Sequence, residues 1–101
     1  MMEYLQVFWA DAPQGEPAVI FYEVDTADDR LGRRSIDVFA DGRMVRYEDM
    51  YDGAIEITPL PTAAELNSNI WGEEFHAREI TAAQFESVWS AQRYEGPFQA
   101  Q

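Results

Sequence analysis

The sequence predicts an α+β fold: an antiparallel sheet of four to six strands, with a C-terminal helix packed on one face and a short helix near residues 62–68. Three observations predict it. Short runs that alternate apolar and polar residues recur between turn signals. Asp41-Gly42 stands between two such runs, a strong hairpin signal. Thr62-Ala63-Ala64-Glu65 and Thr81-Ala82-Ala83-Gln84 each have the form of a capping box, in which the threonine oxygen and the Glu or Gln side chain satisfy orphan amides at a helix start. At 101 residues, 47% hydrophobic and 14% aromatic, the chain suits a single domain over residues 1–101 with enough apolar matter to bury a core.

Glu3–Trp9 alternates as a strand, with Leu5, Val7 and Trp9 on one face and Tyr4, Gln6 and Phe8 on the other. Pro13, Gly15 and Pro17 break it, and Ala18–Asp25 forms a second strand before a polar loop at Thr26–Gly32. A two-residue Asp41-Gly42 turn would set Phe39 opposite Met44, Val38 opposite Val45, Asp37 opposite Arg46, Ile36 opposite Tyr47 and Arg34 opposite Asp49. Ile36, Val38, Val45 and Tyr47 then share an apolar face, and Asp37 and Arg46 make a cross-strand ion pair. A short strand is expected at Ala54–Thr58, ended by Pro59 and Pro61. Phe75–Ile80 reads as a last strand, and a helix from the second capping box to about Arg93 carries Phe85, Val88, Trp89 and Gln92 at helical spacing. That stripe is expected to meet Leu5, Val7, Ile20, Tyr22, Val38 and Val45. Tyr4, Phe8, Val19, Phe21, Phe39 and Met44 then lie on the opposite face, covered by the segment Tyr51–Glu74 or open to a partner.

The charge is lopsided. Nineteen acids face seven bases, all arginine, for a net charge of −12. Residues 1–29 contribute −7, residues 30–46 contribute +3, and residues 47–101 contribute −8. An excess this large disfavours direct binding to nucleic acid, where affinity comes from Lys and Arg neutralising phosphates, and favours steered association with a basic surface. With no cysteine there is no disulfide or thiolate site. The start lacks a basic region followed by an apolar run, and no stretch approaches the ~20 apolar residues of a membrane span. A cytoplasmic protein is the expectation.

Tyr4-x-x-Val7-x-Trp9, Glu16-Pro17, Tyr22-Glu23-x-Asp25, Phe39-x-Asp41-Gly42-Arg43 and Glu79-Ile80-x-x-x-x-Phe85-x-x-x-Trp89 together resemble a family of small acidic bacterial proteins classed as a domain of unknown function. The resemblance runs from about Glu3 to Arg93. It implies a compact α+β unit and carries over no activity, cofactor or catalytic residue. At the level of class alone, small acidic α+β proteins are also similar to the immunity proteins of bacterial toxin systems.

His76 is the one imidazole, and without a cysteine or second histidine it cannot anchor the usual zinc site. As a general base it would need a nucleophile and an orienting partner, so a strand histidine beside a carboxylate is the simpler reading. Asp25, Asp28 and Asp29, and likewise Glu48, Asp49 and Asp52, lack calcium-loop spacing and read as solvated turns. No metal and no cofactor is expected. The leading expectation is a non-enzymatic protein of immunity or inhibitor type that blocks a basic protein partner such as a toxin or nuclease. Glu48, Asp49, Asp52, Glu73 and Glu74 would supply the field, with Tyr51 and Trp71 as anchors. Arg33 or Arg46 beside Phe39 and Met44 are further contact candidates. Two alternatives stand beside it: a nucleic-acid mimic with carboxylates in a row, and an enzyme or small-ligand binder with a pocket near His76.

Overall fold

The computed structural model describes residues 1–53 and 57–99. Its elements run β1 (Met2–Trp9), β2 (Val19–Asp25), β3 (Leu31–Val38), β4 (Met44–Tyr47), α1 (Ala63–Asn67), β5 (Phe75–Ile80) and α2 (Ala82–Ser90). The strands form one antiparallel sheet in the order β4-β3-β2-β1-β5, a four-strand meander whose first strand takes the last as its outer neighbour. This is the expected α+β architecture. Both helices begin at the expected threonines, with each capping box closed in both directions. The expected strand at Ala54–Thr58 lies partly outside the described residues, and Ile57 and Thr58 belong to no strand.

Three local expectations need correction. The polar loop shrinks to a tight turn in which Asp29 and Arg30 take positive φ, and β3 starts at Leu31. The hairpin loop has three residues instead of two: Phe39 N–H donates to Arg43 O, Gly42 takes φ +90°, and Ile36 pairs with Arg46, Asp37 with Val45 and Val38 with Met44. A single positive-φ glycine closing a three-residue turn is the next commonest hairpin device after the two-residue turn. The one-residue slip turns every β4 side chain over. Asp37 therefore has no cross-strand arginine, and Arg34 does not face Asp49. Finally, α2 stops at Ser90, with Ala91 already extended, so Gln92 and Arg93 lie beyond the helix.

In β1 and β2 the two sheet faces are also exchanged relative to the expected packing, and in β4 Met44 takes the place of Val45, whereas Val38 meets the helix layer as expected. Phe85 of α2 is fully buried against Phe8, Val19, Phe21, Ile36 and Val38, with Tyr4, Met44, Val88 and Trp89 around them. The chain beyond α2 completes this layer through Tyr94 and Phe98, whose rings meet edge to face at 5.2 Å. Leu5, Val7, Ile20 and Tyr22 face the other way and are roofed by the segment from Thr58 to Phe75, which contributes Leu60, Pro61 and Leu66. Gly32 lies close beneath Met50 and Leu60: a Cβ there would meet Met50 Sδ at 2.0 Å, so the flexible methionine side chain would have to move aside. The roof segment also closes the outer edge of β5: the Asn67 amide donates to Ala77 O and accepts from Ala77 N–H, both at 2.7 Å.

A β-bulge positions the arginines. Between the pairs Tyr22↔Ser35 and Val24↔Gly32, one residue of β2, Glu23, stands opposite two of β3, Arg33 and Arg34. Arg34 Nε and Nη2 hold the Glu23 carboxylate at 2.9 and 2.7 Å, and the same guanidinium reaches Glu86 of α2. It also lies over the rings of Phe85 and Trp89 at 4.9 and 4.7 Å. One side chain thus joins sheet to helix by charge, hydrogen bonds and cation–π contact.

Candidate functional site

The meander brings the β1–β2 loop, the β3–β4 turn and the start of β5 to one end of the sheet, where Trp9 pairs with Phe75, Phe8 with Val19, and Val38 with Met44. Ala10 N–H donates to Glu74 O at 2.8 Å and ties the chain before β5 to the β1–β2 loop. An open bowl of about 1060 Å³ lies at this loop end. Phe8, Trp9, Phe39 and Phe98 supply aromatic lining, and Asp11, Glu16 and Asp41 supply carboxylates. On the other side of the Trp9–Phe75 ring contact, at 5.3 Å, Trp71 and Phe75 border a second hollow of about 240 Å³ floored by Leu5, Val7, Ile20 and Tyr22. Burial pushes the Tyr22 phenol up to about 12, so it remains neutral there. Ile70 and Trp71 are 72% and 56% exposed beside Glu73 and Glu74.

The expected site residues divide between two places. Trp71, Glu73 and Glu74 belong to the loop end. Glu48, Asp49, Tyr51 and Asp52 follow β4 at the opposite end, where Met50 N–H donates to Arg33 O. Tyr51 is half-buried, and its hydroxyl accepts from Gly32 N–H and donates to Thr58 O, which makes it a brace for the roof segment. Asp49 accepts from Tyr51 N–H and shapes the turn. Asp11, Glu16, Asp41 and Trp9 were missed as site residues, and Phe39 was named only as a ring beside a contact arginine. They are scattered over the sequence and converge only through strand order; the Asp41-Gly42 turn signal places one of them on a loop but not beside the others.

The two ends differ electrostatically. The Arg30 guanidinium pairs with Glu3 at 2.5 Å and donates to Leu60 O and Pro61 O. Arg33 holds Asp25 and Asp28 at 3.0 and 2.7 Å. That bond keeps the Asp25 carboxyl below its ordinary range, as Arg34 does for Glu86. Arg46 donates to Trp89 O and Ala91 O, satisfying carbonyls at the end of α2. Arg43 lies over Phe39 at 4.4 Å. At the loop end none of Asp11, Glu16, Asp41, Glu73 or Glu74 has an ion-pair partner among the described residues. Asp37, half-buried nearby, has its carboxyl raised by burial and then by the Glu16 charge.

His76 is exposed on β5 opposite Phe8, at the wall of the bowl, and its imidazole makes no hydrogen bond among the described residues. No group of three or more His, Asp or Glu gathers to hold a metal among those residues. No helix among them is long and apolar enough to cross a membrane. Comparison with curated proteins and with solved structures gives no match. A family model described as Domain of unknown function (DUF6881) matches residues 3–94, nearly the whole chain, and the chain belongs to that family.

Proposed function

We propose that this is a small acidic binding protein, of the immunity or inhibitor type, that neutralises a basic protein partner such as a toxin or nuclease in a bacterial cytoplasm. The observation that supports this reading is the loop end: Asp11, Glu16 and Asp41 line an aromatic bowl that Arg43 also borders, Glu73 and Glu74 stand just before β5, and none of the five is in an ion pair among the described residues, while four of the arginines of residues 30–46 are held in internal contacts. Unpaired charge raises the association rate, and exposed aromatic side chains supply the desolvated contacts that retain a partner. Trp71 and Trp9 are the anchors, and Asp11, Glu16, Asp41, Glu73 and Glu74 supply the field.

Carboxylates gathered around aromatic side chains favour an inhibitor over a nucleic-acid mimic, which needs acids in a regular row. His76 has no partner to fix its tautomer, which favours binding over general-base catalysis. The test is kinetic, on the partner recovered from the native host and identified by mass. Its on-rate should fall steeply with ionic strength, and a variant with Asp11→Asn, Glu16→Gln, Glu73→Gln and Glu74→Gln should lose on-rate by about tenfold or more with a smaller change in off-rate. An on-rate indifferent to salt and to these four substitutions would refute the reading.

A further inference from the structure

A second cleft, of about 500 Å³, opens between α2, β5 and the chain beyond α2. Arg78 and Arg93, the two arginines not yet accounted for, both line it. Neither pairs with a carboxylate among the described residues. Glu95 lies in the same lining, so the cleft has one cation in excess on a molecule of net charge −12.

Arg78 is held in place from beneath. Its Nε donates to Gln6 Oε1 at 2.7 Å, Gln6 Nε2 donates to the Tyr94 hydroxyl at 3.0 Å, and that hydroxyl donates to Pro97 O at 2.5 Å. Gln6 is 2% exposed, a buried amide at the border of the apolar core. A buried polar chain with each member bonded fixes geometry. It leaves the Nη groups of Arg78 without protein acceptors among the described residues, at a site whose other walls include Phe21, Ile80 and Val88.

We infer that this cleft binds a small organic anion, with one carboxylate or phosphate head between Arg78 and Arg93 and an apolar body against Ile80 and Val88. Arginine is suited to this because its planar fork matches both oxyanions. The volume lies within the ~300–1,000 Å³ of small-molecule sites. The cleft shares no lining residue with the bowl at the loop end, so the inference stands apart from the proposed partner binding.

Amide chemical shifts of the full chain, titrated with benzoate, phenyl phosphate and uncharged benzamide, provide the test. Benzoate or phenyl phosphate should shift the Arg78, Ser87 and Tyr94 amides to saturation, and the tighter of the two identifies the head group. Benzamide, similar in shape without the charge, should bind about tenfold more weakly or not at all. Arg93→Gln removes a side chain with no hydrogen bond among the described residues, so it should leave thermal stability unchanged and weaken the preferred anion about tenfold. The inference is overturned if neither anion saturates those amides at millimolar concentration, if benzamide binds as well, or if Arg93→Gln binds as tightly as the parent.

Discussion

At one end of this sheet three arginines hold five carboxylates, although Glu48, Asp49 and Asp52 there have no ion pair among the described residues; at the other end no carboxylate has one. Arg30, Arg33 and Arg34 hold Glu3, Glu23, Asp25, Asp28 and Glu86 within the bulge and turn that join β2 to β3. Asp11, Glu16, Asp41, Glu73 and Glu74 stand without ion pairs around the loops. The difference teaches that net charge is a poor guide to where a protein meets its partner. The arginine-rich stretch has the strongest charge contrast in the sequence and is structural, whereas the unpaired acids are dispersed along the chain and become a feature only after folding.

Removing the brace should give the largest effect. Arg34→Ala leaves Glu23, whose side chain is 10% exposed, with the Tyr4 hydroxyl and no cation, and removes the cation from over Phe85 and Trp89. The expected loss is about 2–4 kcal/mol in urea unfolding, somewhat below a fully buried pair because Glu86 can return to water. A loss under about 1 kcal/mol would show that the bridge acts like an ordinary surface pair. The same variant should lose part of the acid sensitivity. Glu86 titrates below its ordinary range because of Arg34, so its contribution is present above the unfolded pKa and is lost as pH falls through the folded one.

Asp37 tests the other end with the opposite sign. Its folded pKa is raised, so its contribution to stability is full below the unfolded carboxylate pKa and is lost as pH rises through the raised value. Asp37→Asn should therefore be more stable than the parent at neutral pH, with the gap closing toward acid pH in thermal melts. A gap that widens as pH falls would mean that Asp37 has a cationic or hydrogen-bonding partner. The smallest changes belong to the loop-end acids: Asp11→Asn, Glu73→Gln and Glu74→Gln should each alter stability by no more than about 0.5 kcal/mol, measured in the same melts. Larger losses would place these carboxylates in the fold and not in a binding surface.

The architecture was legible because its signals are local. Two capping boxes fixed both helix starts, and β5 was readable to the residue from alternation and flanking turns. The faces were not legible, since β1 and β2 are apolar on both sides: Leu5 and Val7 serve the second face as well as Tyr4 and Phe8 serve the first. Alternation identifies a strand without saying which side meets the helix. The register of the hairpin failed for a related reason. Asp41-Gly42 permits a two-residue or a three-residue loop, and the choice rests on whether Met44 or Val45 joins the helix layer. Three of the seven expected site residues, Trp71, Glu73 and Glu74, lie at the loop end, and Glu48, Asp49, Tyr51 and Asp52 lie beyond β4. No local pattern reports that the turns of a meander alternate between two ends.

The Asn67 clamp on Ala77 has a bearing on how this molecule behaves in a crowd. A side-chain amide occupies the donor and acceptor that a passing extended chain would need in order to add itself to β5. Strand addition is thereby hindered at Ala77, the position in the middle of β5 whose outward donor and acceptor the amide occupies. The clamp thus guards the middle of one border of an anionic sheet against pairing with copies of itself, while β4 forms the other border.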